Sequence, residues 1–300
     1  MKAVCGEEEN IMVAGKQSKS RKLFLIINAI LLIALAWVTL YPFLYVAAAS
    51  FSDKLFIMQG KVGIIPIGFT TQAYESVFTY PNLWQSYGNT IFYMTAGTAI
   101  NMVMTVFGAY ALSRRQLLGR TFFTFFIVFT MWVNAGMIPT FLVVRDLGMY
   151  DSIWAILLPG AISTYNLVVM RTFFTSIPVS LEEAAKIDGC NDMQALLKII
   201  LPLSIPSLVT IGLFYMVAHW NSFMPALIYL RSKERFPLQL ILREIIMQNA
   251  MQDMLYSNDN VISESIKYAT IIVATLPILC VYPFIQKYFV KGVMIGAVKE

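Results

Sequence analysis

The sequence predicts an all-α membrane protein with six transmembrane helices, and three observations predict it. First, 58% of the 300 residues are apolar and only 13% are charged, with a mean hydropathy of +0.68, too greasy for a soluble domain of this size. Second, the apolar residues gather into six runs, each near the roughly 20 residues a helix needs to cross a bilayer. Third, the Lys and Arg residues stand at the ends of those runs. They form no stripe, so the net charge of +5 reads as a topology signal and not as a nucleic-acid footprint.

Residues 1–22 form a tail in which Lys16, Lys19, Arg21 and Lys22 precede the first run. A signal peptide has the same layout, but Leu23–Ala49 is too long for one and lacks a small-residue cleavage site, so the run is a retained span. The rest, 23–300, reads as one membrane domain with spans at about 23–47, 90–112, 121–144, 152–170, 205–230 and 268–289. Gly97, Gly108, Pro139, Pro159 and Gly212 lie inside these runs, and bundled membrane helices tolerate such residues. On that ground each run is expected to be one helix.

Six spans put both termini on one side. The segments on that side hold fourteen Lys and Arg and the opposite segments eight, so the positive-inside rule places both termini in the cytoplasm of a bacterial cell. Tyr41, Trp84, Tyr87, Tyr150, Trp154 and Tyr229 at span ends fit an interfacial belt, and packing accounts for any one of them equally well. Cys5, Cys190 and Cys280 are too scattered for a disulfide framework or metal motif.

The most informative cytoplasmic loop is 177–202, between spans four and five. Ser180 followed by Glu183 is a capping-box pattern, which starts a helix near Leu181. Gly189 suits the left-handed residue that ends it, and Asn191 or Asp192 caps a second helix running toward Leu201. The small side chains of Ala184 and Ala185 let another protein approach the backbone, so the helix-turn-helix has the shape of a docking knob. From physics alone, an ordinary capped surface helix explains the segment as well.

The spacing adds a second line of argument. Glu183-Ala184-Ala185, Gly189, Ile199 and Leu201-Pro202 match the whole EAA motif of bacterial ABC importer permeases, and the chain resembles that family. The resemblance extends over nearly everything after Leu23. It is carried by Tyr41-Pro-Phe-Leu-Tyr45 with Ser50-Phe-Ser52, Tyr110-Ala-Leu-Ser-Arg114 with Gly119-Arg120, and Gly136-Met-Ile-Pro-Thr140. Met170-Arg-Thr-Phe-Phe174, Trp220-Asn-Ser-Phe223 with Pro225, and Lys291-Gly-Val-Met-Ile-Gly296 extend it. The match is to the second permease of maltose-transporter-type carbohydrate importers, in the oligosaccharide and polysaccharide branch.

The resemblance implies a type I importer permease fold with a cytoplasmic EAA coupling helix. It implies as partners a homologous second permease, two copies of a cytosolic ATPase and an extracytoplasmic solute-binding protein delivering a sugar, all in a lipid membrane and without nucleic acid. Ser180, Glu182, Glu183, Ala184, Ala185, Asp188, Gly189, Leu201 and Pro202 become the candidate ATPase-coupling residues. The chain has no G-x-x-x-x-G-K-[ST] phosphate loop, so no cofactor is expected in it; ATP and Mg belong to the ATPase.

Polar side chains inside spans are candidates for the substrate path, because hydrocarbon offers them no hydrogen bonds. They are Asn101, Asn134, His219 and Asn221, with Trp132 and Trp220 as sugar-stacking faces; interhelical hydrogen bonding explains each Asn as well. For His219, an interhelical hydrogen bond outweighs a metal site, since neither a second histidine nor a Cys cluster is present. Outside the membrane, Ser232–Ser265 reads either as a solvated loop with a short helix or as a surface for the binding protein. An importer of a non-sugar solute and an ATP-independent secondary transporter are the competing readings. The latter lacks the expected internal symmetry and intramembrane charges, and nothing supports a membrane-embedded enzyme.

Overall fold

The structure, a computed structural model, describes residues 19–133, 135–255 and 263–297. Among these, every regular element is helical. Helix α1, Lys19–Ser50, is apolar all round and exposed along most of its length, burying only Ala48, Ala49 and Ser50. A helix of that composition is stable where lipid or another apolar surface covers it. Short helices α2, Lys54–Met58, and α3, Gln72–Phe78, follow, with Asp53 capping α2 through its side chain.

Helix α4, Leu83–Ser113, is the central rod. Its chain-start half joins a core containing Val77, Tyr93, Leu157, Trp220 and Ala269. Its chain-end half packs Val106 and Ala109 against Met170, Phe174, Leu196, Ile200 and Ile211. Two glycines permit the close crossings. A Cβ on Gly97 would lie 2.5 Å from Nε2 of His219, and one on Gly108 would lie 2.9 Å from Cδ1 of Leu167.

Three runs expected to be single helices are interrupted. The run 121–144 becomes α5, Arg120–Phe129, and α6, Met137–Asp146. Gly136 between them has φ +85° and ψ 178°, a conformation that favours glycine, and Pro139 falls in the first turn of α6, where its missing N–H costs little. The run 152–170 becomes α7, Trp154–Leu157, and α8, Thr164–Ser176, broken at Pro159 and at Gly160, which has φ +80°.

The run 205–230 becomes α12, Ile205–Asn221, and α13, Met224–Tyr229. Pro225 decides that break, because its ring would clash with the carbonyl of Asn221 four residues earlier if the helix continued. Between α8 and α12 come α9, Val179–Ile187, α10, Asp192–Ala195, a π-turn at Leu196–Ile200, and α11, Leu201–Leu203. The π-turn ends two residues before Pro202, whose missing N–H and bulky ring disturb the regular α ladder. The axis then bends by 85° between Asp192–Leu203 and α12.

The segment after Ser232 is more than a solvated loop. Helix α14, Leu238–Leu255, buries Leu238, Ile241, Leu242 and Ile245 in the main core, an i, i+3, i+4, i+7 stripe. It packs on α15, Ser263–Ala297, which also carries α1 along its flank, where Tyr45 meets Tyr268 edge to face at 5.7 Å. Of the interfacial aromatics, Tyr229 is 5% exposed and stacks on Phe141, whereas Trp84 is 66% exposed. Among the described residues, α1 and α4 are long and apolar enough to cross a membrane alone, and the bent pair ending in α12 makes a third if it counts as one span.

Candidate coupling surface and interior cavity

Helix α9 starts two residues earlier than the Ser180–Glu183 pattern suggests. Pro178 is its N-cap, with no side-chain capping bond. Proline has a fixed φ suited to a helix entrance and no N–H to satisfy, so Ser180 falls inside the first turn. The capping box sits one helix later, where Asn191 accepts from the Gln194 N–H at 2.8 Å and the Gln194 side chain accepts from the Asn191 N–H at 3.0 Å.

Gly189, at φ +82°, does end α9 as its type suggests. The Cys190 N–H donates to the Ala185 carbonyl at 2.9 Å and the Gly189 N–H to the Lys186 carbonyl at 3.1 Å, the two bonds of a Schellman closure. Ala185 is buried, while Glu183, Ala184, Asp188 and Gly189 face outward with Ile187, which is 87% exposed. Only one of the two adjacent alanines is therefore available to a partner. Leu201 packs into the α4–α8–α12 core and Pro202 is exposed.

The loop is fastened to the end of α4. Arg114 makes an ion pair with Glu182 and stacks over the Tyr110 ring, 3.9 Å from its centroid. The Tyr110 hydroxyl donates to the Asp192 carbonyl at 2.8 Å, and Lys186 pairs with Asp192 at 3.3 Å. Glu182, the residue before the matched motif, is the one that holds the helix in place. The spacing alone did not single it out; a helix-end arginine within reach of a loop carboxylate was the available signal.

A cavity of about 460 Å³ lies between α4, α8 and α12, lined by Asn101, Ser163, Asn166, Tyr215, His219 and Ser222 among others. His219 Nε2 and Asn101 Oδ1 are 3.1 Å apart, an interhelical hydrogen bond as expected for this histidine. Tyr215, absent from the sequence-derived candidates, organises the wall: its hydroxyl bonds Thr105 Oγ1 at 2.7 Å and accepts from the Ser163 N–H at 3.0 Å. Trp220 is turned away, buried against α15 with its indole N–H directed to the Ala274 carbonyl. Asn221 is exposed and donates to the Val217 carbonyl. Trp132 is 85% exposed beyond α5, and Asn134 lies outside the described residues.

At the opposite end of α4 from the loop, residues 231–238 are clamped from two sides. Asn89 donates to the Glu234 and Phe236 carbonyls, Tyr93 to the Arg235 carbonyl, and Leu238 N–H to Thr90. Asp151, in a left-handed turn at φ +54°, accepts from the Arg231 and Ser232 N–H groups and the Ser232 hydroxyl, and its carboxylate lies 3.5 Å from Arg235. Those donors hold its carboxyl at about 2.

A family model described as binding-protein-dependent transport system inner membrane component matches residues 104–295. The chain belongs to that family. As a permease it is an integral, multi-pass component of an ABC transporter, and ATP hydrolysis is not its own chemistry. It is 45% identical over 273 residues to the polygalacturonan/rhamnogalacturonan transport system permease protein YtcP of Bacillus subtilis (strain 168), covering 89% of this chain and 95% of that one. It is 40% identical to Protein LplC of the same organism, over 94% of this chain and 97% of that one. In three dimensions it resembles a chain of a bacterial ABC transporter involved in the import of the acidic polysaccharide alginate. The TM-score is 0.82 at 40% identity, covering 92% of this permease and 99% of that chain.

Proposed function

We propose that this permease pairs with a homologous second permease to form the membrane path of an ATP-driven importer for an oligosaccharide or polysaccharide fragment, handed over by a solute-binding protein. Six spans serve this reading, with α5 and α6, α7 and α8, and α12 and α13 each forming one broken span, and both termini in the cytoplasm. The outward face of α9 around Glu183, Ala184 and Ile187 docks on the ATPase, while Asp188 and Gly189 shape the turn beside it. Differential binding of that knob in the two ATPase states supplies the free energy that moves the helices.

The observation that carries the cargo assignment is the near-full-length similarity to a permease named for polygalacturonan/rhamnogalacturonan transport and to a chain of a transporter involved in alginate import. Asn101, Ser163 and His219 around the interior cavity give it hydrogen-bonding groups suited to sugar hydroxyls. The test is ATPase stimulation of the purified transporter in nanodiscs by its binding protein loaded with oligogalacturonate, oligoalginate, neutral oligosaccharides or peptides. Stimulation by saccharides supports the reading; stimulation only by peptides or amino acids overturns the cargo assignment.

A further inference from the structure

Two of the arginines in the sequence segments that resemble the family, Arg120 and Arg171, are brought together by the fold although they are far apart in the chain. The Arg120 Nε–H donates to the Leu112 carbonyl at 3.0 Å and the Arg171 Nε–H to the same carbonyl at 3.3 Å. Leu112 lies in the last turn of α4, where a carbonyl lacks its intrahelical partner, so capping it accounts for one N–H of each guanidinium. Among the described residues neither arginine forms an ion pair with a carboxylate.

Beside them opens a cavity of about 520 Å³ lined by Arg120, Thr121, Thr124, Phe125, Val128 and Arg171. The Thr124 hydroxyl is sealed from solvent without a hydrogen-bond partner, although a buried hydroxyl ordinarily finds one. Two adjacent guanidinium groups repel each other unless an anion lies between them, and guanidinium geometry matches phosphate oxygens in pairs. The cavity is also amphipathic along α5: Arg120 and the threonines at the helix start, with Arg171 of α8 beside them, and Phe125 and Val128 one to two turns further on. Phe122, Phe125, Phe126 and Phe129 are all exposed around it, the surface expected of a helix facing acyl chains.

We infer that Arg120 and Arg171, with Thr121 and Thr124, form a binding site for the phosphate of an anionic phospholipid in the leaflet on the coupling-loop side, with an acyl chain running along Phe125 and Val128. The site lies at the end of α4 that also holds Arg114 and Glu182, so an occupied site steadies the helix end to which α9 is tied. The bound phosphodiester, with its single negative charge, offsets half of the paired guanidinium charge, and no protein carboxylate pairs with either arginine among the described residues.

The test is native mass spectrometry of the assembled transporter, released from nanodiscs of mixed phosphatidylglycerol and phosphatidylcholine. The expected result is retention of phosphatidylglycerol over phosphatidylcholine at equal mole fraction. It should fall about tenfold in Arg120→Gln or Arg171→Gln, the equivalent of one charge-assisted hydrogen bond. Thr124→Val leaves both carbonyl caps intact and should lower retention less, which separates loss of the site from loss of the fold. Equal retention of the two lipids by the unmodified transporter overturns the proposal without recourse to any variant. Displacement of phosphatidylglycerol by millimolar inorganic phosphate at fixed ionic strength identifies a site for free phosphate and overturns the lipid assignment. Unchanged retention in the Arg120→Gln, Arg171→Gln double variant overturns it as well.

Discussion

Breaking the Arg114–Glu182 ion pair should detach α9 from α4 and cost transport without removing the permease from the membrane. The side chains are 23% and 17% exposed, so the pair is partly shielded, and a charge-assisted bond of this kind contributes about 1.5–3 kcal/mol net. Taking about 2 kcal/mol, the attached state loses roughly thirtyfold against the detached one. Uptake by Arg114→Gln and by Glu182→Gln should each fall by up to about thirtyfold, and the double variant should fall little further, since the second change removes a bond already lost. The charge swap Arg114→Glu with Glu182→Arg should recover only part of the activity, because it restores the attraction but not the guanidinium stacked on Tyr110. The assay is uptake and binding-protein-stimulated ATPase activity in the same proteoliposomes, normalised to permease content. Single variants within twofold of the unmodified transporter, or strictly additive losses, would refute the reasoning.

Three other outcomes follow from the geometry. Gly97→Ala places a methyl group 2.5 Å from His219 Nε2, which forces the ring off Asn101; a loss of about 1–3 kcal/mol is expected from overpacking. Thermal unfolding should show the loss, and His219→Ala in the same chain should relieve part of it. Replacing Gly189 by Val puts a β-branched residue at φ +82°, a conformation such residues avoid; transport should be abolished with membrane levels retained, measured by uptake and immunoblot. At Asp151 the carboxyl is held at about 2 against an ordinary 3.8. A lowered carboxyl contributes stability that is full above the ordinary value and is lost as pH falls toward the lowered one. Protection of 231–238 from hydrogen exchange, relative to the intrinsic rate at each pH, should therefore hold down to about pH 4 and fall between roughly pH 4 and 2, while Asp151→Asn should be less protected at neutral pH with no transition in that window.

Much of the architecture was legible in the sequence because composition and apolar run length report the solvent directly. Helices α1, α4 and α15 cover the runs 23–47, 90–112 and 268–289 and extend past them at both ends, and Gly189 ends α9 because few residues other than glycine adopt its backbone. The interruptions at Gly136, Pro159 and Pro225 were readable in principle, but hydropathy weighs side chains and ignores the missing proline N–H and ring clash. The Ser180 pattern misled for a related reason: a nearby Pro178 supplies a competing helix start. At the site, His219 and Asn101 were found as polar residues inside apolar runs. Tyr215 was missed because its partners, Thr105 and Ser163, come from other elements of the fold; Glu182 stood among the coupling candidates, but its pairing with Arg114 depends on contact between α9 and the end of α4.

Helix α4 holds the coupling loop at one end and the 231–238 segment at the other, and its 31 residues give it a length of about 46 Å. In the proposed arrangement such a rod is a mechanical link between two faces of a membrane, and a linkage of that kind works in both directions. If, as proposed, α9 docks on the ATPase and a binding protein grips the 231–238 face more tightly in one state, that grip changes the affinity of the α9 knob for its partner by the same factor, and the reverse holds equally. Each face thereby reports the occupancy of the other, with no small molecule having to pass between them.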